Sequence, residues 1–140
     1  MKKIIIFLVV CTSLLGGCGK GEEVIEIGEK MFIEQMNDIY YNFDEYDGKK
    51  IRYEGIFYAY PDSEQFPAYQ AVIRRGPGCC GDDGEVGFEV KWDKEYPAQD
   101  EWVEVIGVLS KDEESGYQRI QVELTSLEVL TTRGEEFVTQ

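Results

Sequence analysis

The sequence predicts an all-β domain with one N-terminal helix, its strands closed into a small five-stranded barrel. Three observations carry this. Five apolar-rich stretches of strand length recur between turn residues, the pattern of a sandwich or barrel. Nothing in the chain alternates strand with helix in βαβ fashion. The first long strand carries Gly55 at its middle, where the pattern changes from one apolar face to two. A strand bent at a glycine serves two sides of a sheet, which a closed barrel requires.

The chain begins Met1-Lys2-Lys3, followed by an apolar run over 4–11 and by Leu14-Leu15-Gly16-Gly17-Cys18. A basic start, an apolar centre and small residues before a cut are the layout of a secretory signal. The apolar run is short of the roughly 20 residues a membrane span needs. Leu15-Gly16-Gly17-Cys18 resembles a bacterial lipobox, which implies a lipid on the Cys18 thiol; the alternative is an ordinary cleaved signal with Cys18 incidental. The expected layout is a lipoprotein signal over 1–17, a lipidated tether over 18–27, a barrel with its helix over 28–130, and a polar, loose tail over 131–140. Val24 to Ile27 reads as a first strand in preference to tether.

Apolar residues at Ile33, Met36, Ile39, Tyr40 and Phe43 recur at helical spacing, so an amphipathic helix is expected over 31–43. Asp47-Gly48 marks a turn. Strands are expected over 50–60, 66–75, 85–92, 101–110 and 118–129. The third alternates cleanly, with Val86, Phe88, Val90 and Trp92 on one face. The fourth is apolar on both faces and contains Gly107, which suits a central or bent strand. One helix in front of five strands, the first of them bent, favours a Greek-key barrel of the OB type.

Removing the 17 residues before Cys18 from the 140 leaves 123, enough for one domain with a real core. The signal removes two lysines from a chain with 14 basic and 28 acidic residues, so the remainder carries a net charge of −16. Such a surface repels phosphate backbones and excludes nucleic acid as a partner. It also leaves membrane attachment to the lipid rather than to charge. With no histidine, Ser-His-Asp and Cys-His machinery is excluded, and no enzyme is expected. Tyr58, Tyr60, Phe66, Tyr69 and Trp92 fill the core in the favoured reading; otherwise they line a groove for a saccharide or peptide, as OB faces do.

The stretch over 76–84, Gly-Pro-Gly-Cys-Cys-Gly-Asp-Asp-Gly, reads as a special loop between two strands and is the candidate site. Cys79 and Cys80 are the thiols left once Cys11 goes with the signal and Cys18 carries lipid. A disulfide between sequence neighbours is strained: their α-carbons lie about 3.8 Å apart, below the usual range of about 4.4–6.8 Å. It would be easy to reduce, which suits a switch better than a staple. Thiolates suit zinc, copper(I) or a thiophilic metalloid, with Asp82, Asp83 or Glu85 completing the ligand set. Calcium through Asp82-Asp83-Gly84-Glu85 lacks the EF-hand spacing. Neighbouring strand side chains point to opposite faces, so both thiols can serve one ion only if Gly78 and Gly81 allow a non-strand backbone. The surrounding acids would raise a thiol pKa, which weighs against a reactive thiol, and Arg74 and Arg75 are the groups that would counter them. Three readings stay open: soft-metal binding at Cys79, Cys80, Asp82 and Asp83, a thiol redox pair, and a shaped loop that binds nothing small.

Gly48-Lys49-Lys50-Ile51, Glu54-Gly55-Ile56-Phe57, Cys79-Cys80, Trp102-Val103 and Gly107 together resemble the soluble C-terminal domain of YcgQ-type bacterial membrane proteins, over about Ile25 to Leu130. The pattern there runs Gly-Lys, Gly-Phe, Cys-Cys-Ala-x-Asp-Ala, Trp-Val-x-x-x-Gly. This chain has Gly-Asp-Asp-Gly after its cysteines and an added Gly-Pro-Gly before them. It resembles a stand-alone Firmicute lipoprotein branch, tethered by lipid in place of membrane helices. The resemblance implies an OB-like fold and a place beside a permease, and carries no activity with it. The expectation is a monomeric, non-enzymatic accessory protein on the outer face of the cell membrane. Its alternatives are a thiol redox protein and a structural or partner-docking module.

Overall fold

The computed structural model describes residues 22–79, 81–113 and 119–139, and of residues 81–83 the backbone alone. The expected signal over 1–17 and the lipid-bearing Cys18 lie outside the described residues. Six strands form one mixed sheet: β1 (Val24–Glu26), β2 (Lys50–Tyr60), β3 (Tyr69–Gly78), β4 (Gly81–Lys91), β5 (Trp102–Asp112) and β6 (Arg119–Val129). Their order is β1-β2-β3-β4-β6-β5, and β2 pairs with β5 as well. The β1–β2 and β4–β6 ladders are parallel and the others antiparallel.

The expected count of five strands is corrected to six by β1. A strand has two edges, and the first half of β2 gives one of them to β5 over Lys50 to Ile56. β3 covers the other edge only from Ile56 to Tyr60. Of the remainder, Lys50 to Arg52 is taken by β1. Gly55 stands just before the point where β3 joins. A side chain there would meet the Ile73 carbonyl oxygen at 2.7 Å, so the close approach of β3 requires glycine. Gly107 sits at the register shift between β5 and β6, where a Cβ would meet the Glu123 carbonyl at 2.5 Å.

A 3-10 turn (Glu29–Met31), helix α1 (Phe32–Tyr41) and helix α2 (Phe43–Tyr46) precede β2. The single helix expected over 31–43 is interrupted at Asn42, whose Nδ2 donates to Asp38 Oδ1 at 2.7 Å. The buried stripe is Phe32, Met36, Ile39 and Phe43, spaced four, three and four apart as one helical face demands. Tyr40, expected on that face, is 59 % exposed, while Phe32, which the pattern did not mark, is buried. This stripe packs on Ile51, Tyr53, Val72, Phe88, Val103 and Val122 from the sheet. A smaller cluster of Ile56, Ala71, Ile73 and Trp102 gathers Tyr58, Tyr60 and Tyr69 around it.

The tail expected to be loose is bound. Arg75 N donates to Glu136 O and Val138 N to Arg75 O, each at 2.8 Å, and Val138 is buried. Beside it lies Arg74, 1 % exposed. Its guanidinium sits 4.8 Å from the Phe32 ring centre and 4.9 Å from that of Trp102. Nε donates to Glu54 O at 2.8 Å, and Nη1 to Glu135 O at 3.1 Å and Glu29 Oε1 at 3.4 Å. Burial pulls the Arg74 pKa down, and Glu29 opposes the shift. A buried cation is tolerated because aromatic faces and fixed oxygens replace its water.

Arg74→Met removes all of these bonds while roughly keeping the volume. It is expected to cost about 3 kcal/mol in urea unfolding and to open the Arg133 region to trypsin. An unchanged unfolding midpoint with an intact tail would contradict this role.

Candidate functional site

The stretch over 76–84, expected to be a loop, is a continuation of two strands. Arg75 pairs with Glu85, Gly76 with Gly84 and Gly78 with Gly81. Cys79, next after Gly78, is a turn residue. A ladder is made by backbone, so residues with no side-chain strand preference can still extend it. Pro77, which has no N–H to give, falls at the register shift between Gly76 and Gly78, where strands accommodate proline. Pro77, Gly78 and Cys79 are all exposed.

Of the expected metal ligands, Cys79 is exposed at this tip. Cys80 lies outside the described residues, as do the side chains of Asp82 and Asp83, whose backbone belongs to β4. Glu85, weighed as a further ligand, instead accepts a hydrogen bond from the Tyr60 hydroxyl. Among the described residues no group of three or more metal-ligating side chains stands together. Arg74 is held in the interior and Arg75 pairs with Glu136 at 3.1 Å. The two arginines are therefore committed to the core and the tail.

A second place lies at the foot of the hairpin. Tyr60 and Tyr69 stack with ring centres 4.5 Å apart and planes 12° apart, and Tyr58 tilts against Tyr60 at 4.7 Å. Arg119, opening β6, lies 5.3 Å from the Tyr69 ring and 5.5 Å from that of Phe66. Its Nη1 reaches Glu89 Oε2 at 3.3 Å, while Lys91 Nζ meets Glu89 Oε1 at 2.6 Å. Tyr60, Phe66, Tyr69, Glu89 and Arg119, with Glu85, line a depression of about 290 Å³. It adjoins a second depression of about 420 Å³, with which it shares Tyr40 and Ile120. The favoured expectation that the five aromatics fill the core is thus corrected. Tyr58, Tyr60 and Tyr69 are half-buried against the smaller cluster, and Phe66 is exposed. Trp92 stands apart, under Lys94 at 4.9 Å.

Sequence reasoning missed Arg119 and Glu89. They sit on the polar faces of two strands that alternate like any half-exposed strand. Only the parallel β4–β6 pairing, Glu89 against Gln121, brings them together.

With this geometry in view, the chain can be set beside known protein families. Residues 15–138 match the family described as the DUF1980 C-terminal domain. The match covers most of the chain, and the chain belongs to that family, in agreement with its resemblance to the C-terminal domain of YcgQ-type proteins. The search of curated proteins gave no match. Among the described residues no helix is long and apolar enough to cross a membrane.

Burial, and then its bond to Glu85, raises the Tyr60 pKa; burial, and then the Glu85 charge, raises that of Tyr69. Burial raises Tyr53, and a bond to Asp38 raises Tyr46. Each folded pKa lies above the unfolded value of about 10. The folded state therefore holds these protons longer, and its stability, intact below about pH 10, falls as pH rises further. An ultraviolet phenolate titration is expected to show these four tyrosines ionising late, with unfolding. Ordinary titration of all nine in a folded chain would overturn the assignment.

Proposed function

We propose that the chain is a lipid-anchored, extracytoplasmic accessory protein that binds rather than catalyses, with its site at the tip of the β3–β4 hairpin. The observation that carries the reading is the pairing of Gly78 with Gly81. It ends the paired part of β3 before Cys79, which is a turn residue, so the strand rule that sends neighbouring side chains to opposite faces does not govern that thiol. A glycine on each side leaves the turn backbone its widest choice of conformation. Two vicinal thiols with no histidine nearby make an incomplete set for a closed zinc site, which takes four ligands. They suit a soft ion such as copper(I), zinc or a thiophilic metalloid that a partner helps to hold. Asp82 and Asp83 are the first candidates to complete the set.

In this reading the sheet is an OB-like barrel, since the order that starts at β2 passes through β3, β4, β6 and β5 and pairs with β2 again. Lipid on Cys18 holds it at the membrane, where a permease is the partner that family resemblance suggests. The same turn supports a second reading, a thiol redox pair, because the tip is open to a reductant. A docking module indifferent to the cysteines is the third.

Native mass spectrometry of the reduced chain with zinc, copper(I) or arsenite separates these readings. Stoichiometric uptake that disappears in the double variant Cys79→Ser, Cys80→Ser is the expected result. No uptake by the reduced chain would refute metal binding. A thiol count near zero before reduction would then point to the redox pair.

A further inference from the structure

We propose that the outer edge of β1, with the groove between β1 and α1, docks an extended basic segment of a partner protein as an added strand, apart from the cysteine turn. The edge is open. β1 stands at the end of the sheet order and pairs with β2 alone. Along a strand, the backbone groups of successive residues turn to opposite sides. Ile27 N donates to Arg52 O at 2.9 Å. Ile25 and Ile27 therefore bond toward β2, and Val24 and Glu26 turn their N–H and C=O groups outward.

This edge already holds a stand-in for a strand. Gln35 of α1 accepts a hydrogen bond from Gly28 N on its Oε1 and donates one from Nε2 to Glu26 O, each at 3.0 Å. Its side-chain amide thus takes the place of one peptide group of a neighbouring strand. Toward the N-terminus from there, the Glu26 N–H and both backbone groups of Val24 have no protein partner among the described residues. Such an edge is a template for a strand from another chain. Gln35 also stands in the wall of a groove of about 260 Å³, whose apolar lining is Ile25, Met31, Ile39 and Tyr46. Met31 is 53 % exposed and Ile25 half-buried, so a partner's valine or leucine has apolar surface left to cover.

Charge decides the occupant. The charged residues lining the groove are Glu34 and Asp38, both acidic. Bonds from the Tyr46 hydroxyl and from Asn42 hold Asp38 in its ionised form. The bases close to the edge are engaged: Lys50 with Glu22 at 2.6 Å, Arg52 with Glu26 at 3.2 Å and Glu104 at 2.6 Å, and Lys49 over the Tyr46 ring at 5.2 Å. A second copy pairing edge to edge would lay one copy's Glu22, Glu23 and Glu26 beside the other's, and like charges across a ladder destabilise it. A strand presents alternate residues on one face. The segment that fits sets apolar residues on the face toward the groove, with lysine or arginine at the ends of that face to meet Glu34 and Asp38.

The test is amide chemical-shift mapping of the chain, with amide exchange, against the end-capped heptapeptide Lys-Thr-Val-Thr-Val-Thr-Lys. Saturable shifts at Val24, Glu26, Met31 and Gln35 are expected, with slowed exchange of the Glu26 N–H. Glu26→Pro removes that outward donor and leaves the bonds to β2, since an edge strand takes proline on its open side. It is expected to bind about tenfold more weakly than Glu26→Gln, which removes the carboxylate charge alone. Should Glu26→Pro lose its native melt, the exchange of the Glu26 N–H in the unaltered chain decides. The same peptide with glutamate in place of each lysine is expected to bind about tenfold more weakly or not at all. The double variant Cys79→Ser, Cys80→Ser is expected to bind the lysine peptide unchanged, so this edge and the hairpin turn stand or fall separately. No saturable shift overturns the proposal, as does equal binding by Glu26→Pro and Glu26→Gln or equal binding of the acidic peptide. Shifts at β1 that grow with protein concentration in the absence of peptide also overturn it, and make a second copy the occupant.

Discussion

The structure depends on a buried positive charge. Arg74 lies between the rings of Phe32 and Trp102, with its guanidinium bonded to β2, to the turn before α1 and to the C-terminal segment. Those pieces are distant in sequence, and apolar packing alone would leave each one's polar backbone to find its own partner. One side chain with several donors in a rigid plane satisfies three oxygens from three segments. The desolvation that this costs is offset because each oxygen is itself fixed. Trp102 is held in turn by its indole N–H, which donates to Glu54 Oε2 at 3.0 Å. Helix, sheet and tail are thus fastened where no hydrophobic pattern would have joined them.

Much of this was legible from residue types. The alternation of Val86, Phe88 and Val90 gave a strand that the structure keeps, and the stretch over 50–60 matches β2 to the residue. Gly55 marked a real change of partners. What could not be read were features made by backbone and by distance. The glycine-rich stretch looked like a loop because its side chains say nothing, while its hydrogen-bonding groups form a ladder. The tail looked loose because a run such as Thr131-Thr132-Arg133-Gly134 has no period. What holds it is Val138 together with Arg74 and Arg75, which are far away in sequence. Tyr40 carried the right spacing and the wrong outcome, since a face one residue wider than the stripe turns to solvent.

The candidate site divides along the same line. Cys79 and Cys80 announced themselves by being adjacent and flanked by glycine. The aromatic depression did not, because its polar members come from β4 and β6, and the parallel ladder joining those strands spans only Glu89 to Lys91. The two places share a strand. β4 leaves the turn at Gly81, passes Glu85 at the rim of the depression and reaches Glu89 in its wall. The hairpin and the depression are therefore parts of one continuous piece of backbone, and a tilt of the hairpin would move Glu85 against Tyr60.

The contact between Glu29 Oε1 and the backbone N–H of Glu135, 3.0 Å apart, bears on how such a unit can be carried. The turn that follows β1 and the segment that leaves the fold meet at one point, beside the same buried arginine. A polypeptide can then run into the domain and out of it again through neighbouring positions, as a loop does. Grafted into a longer chain, the unit would occupy the space of a side branch, leaving the host's own path nearly undisturbed.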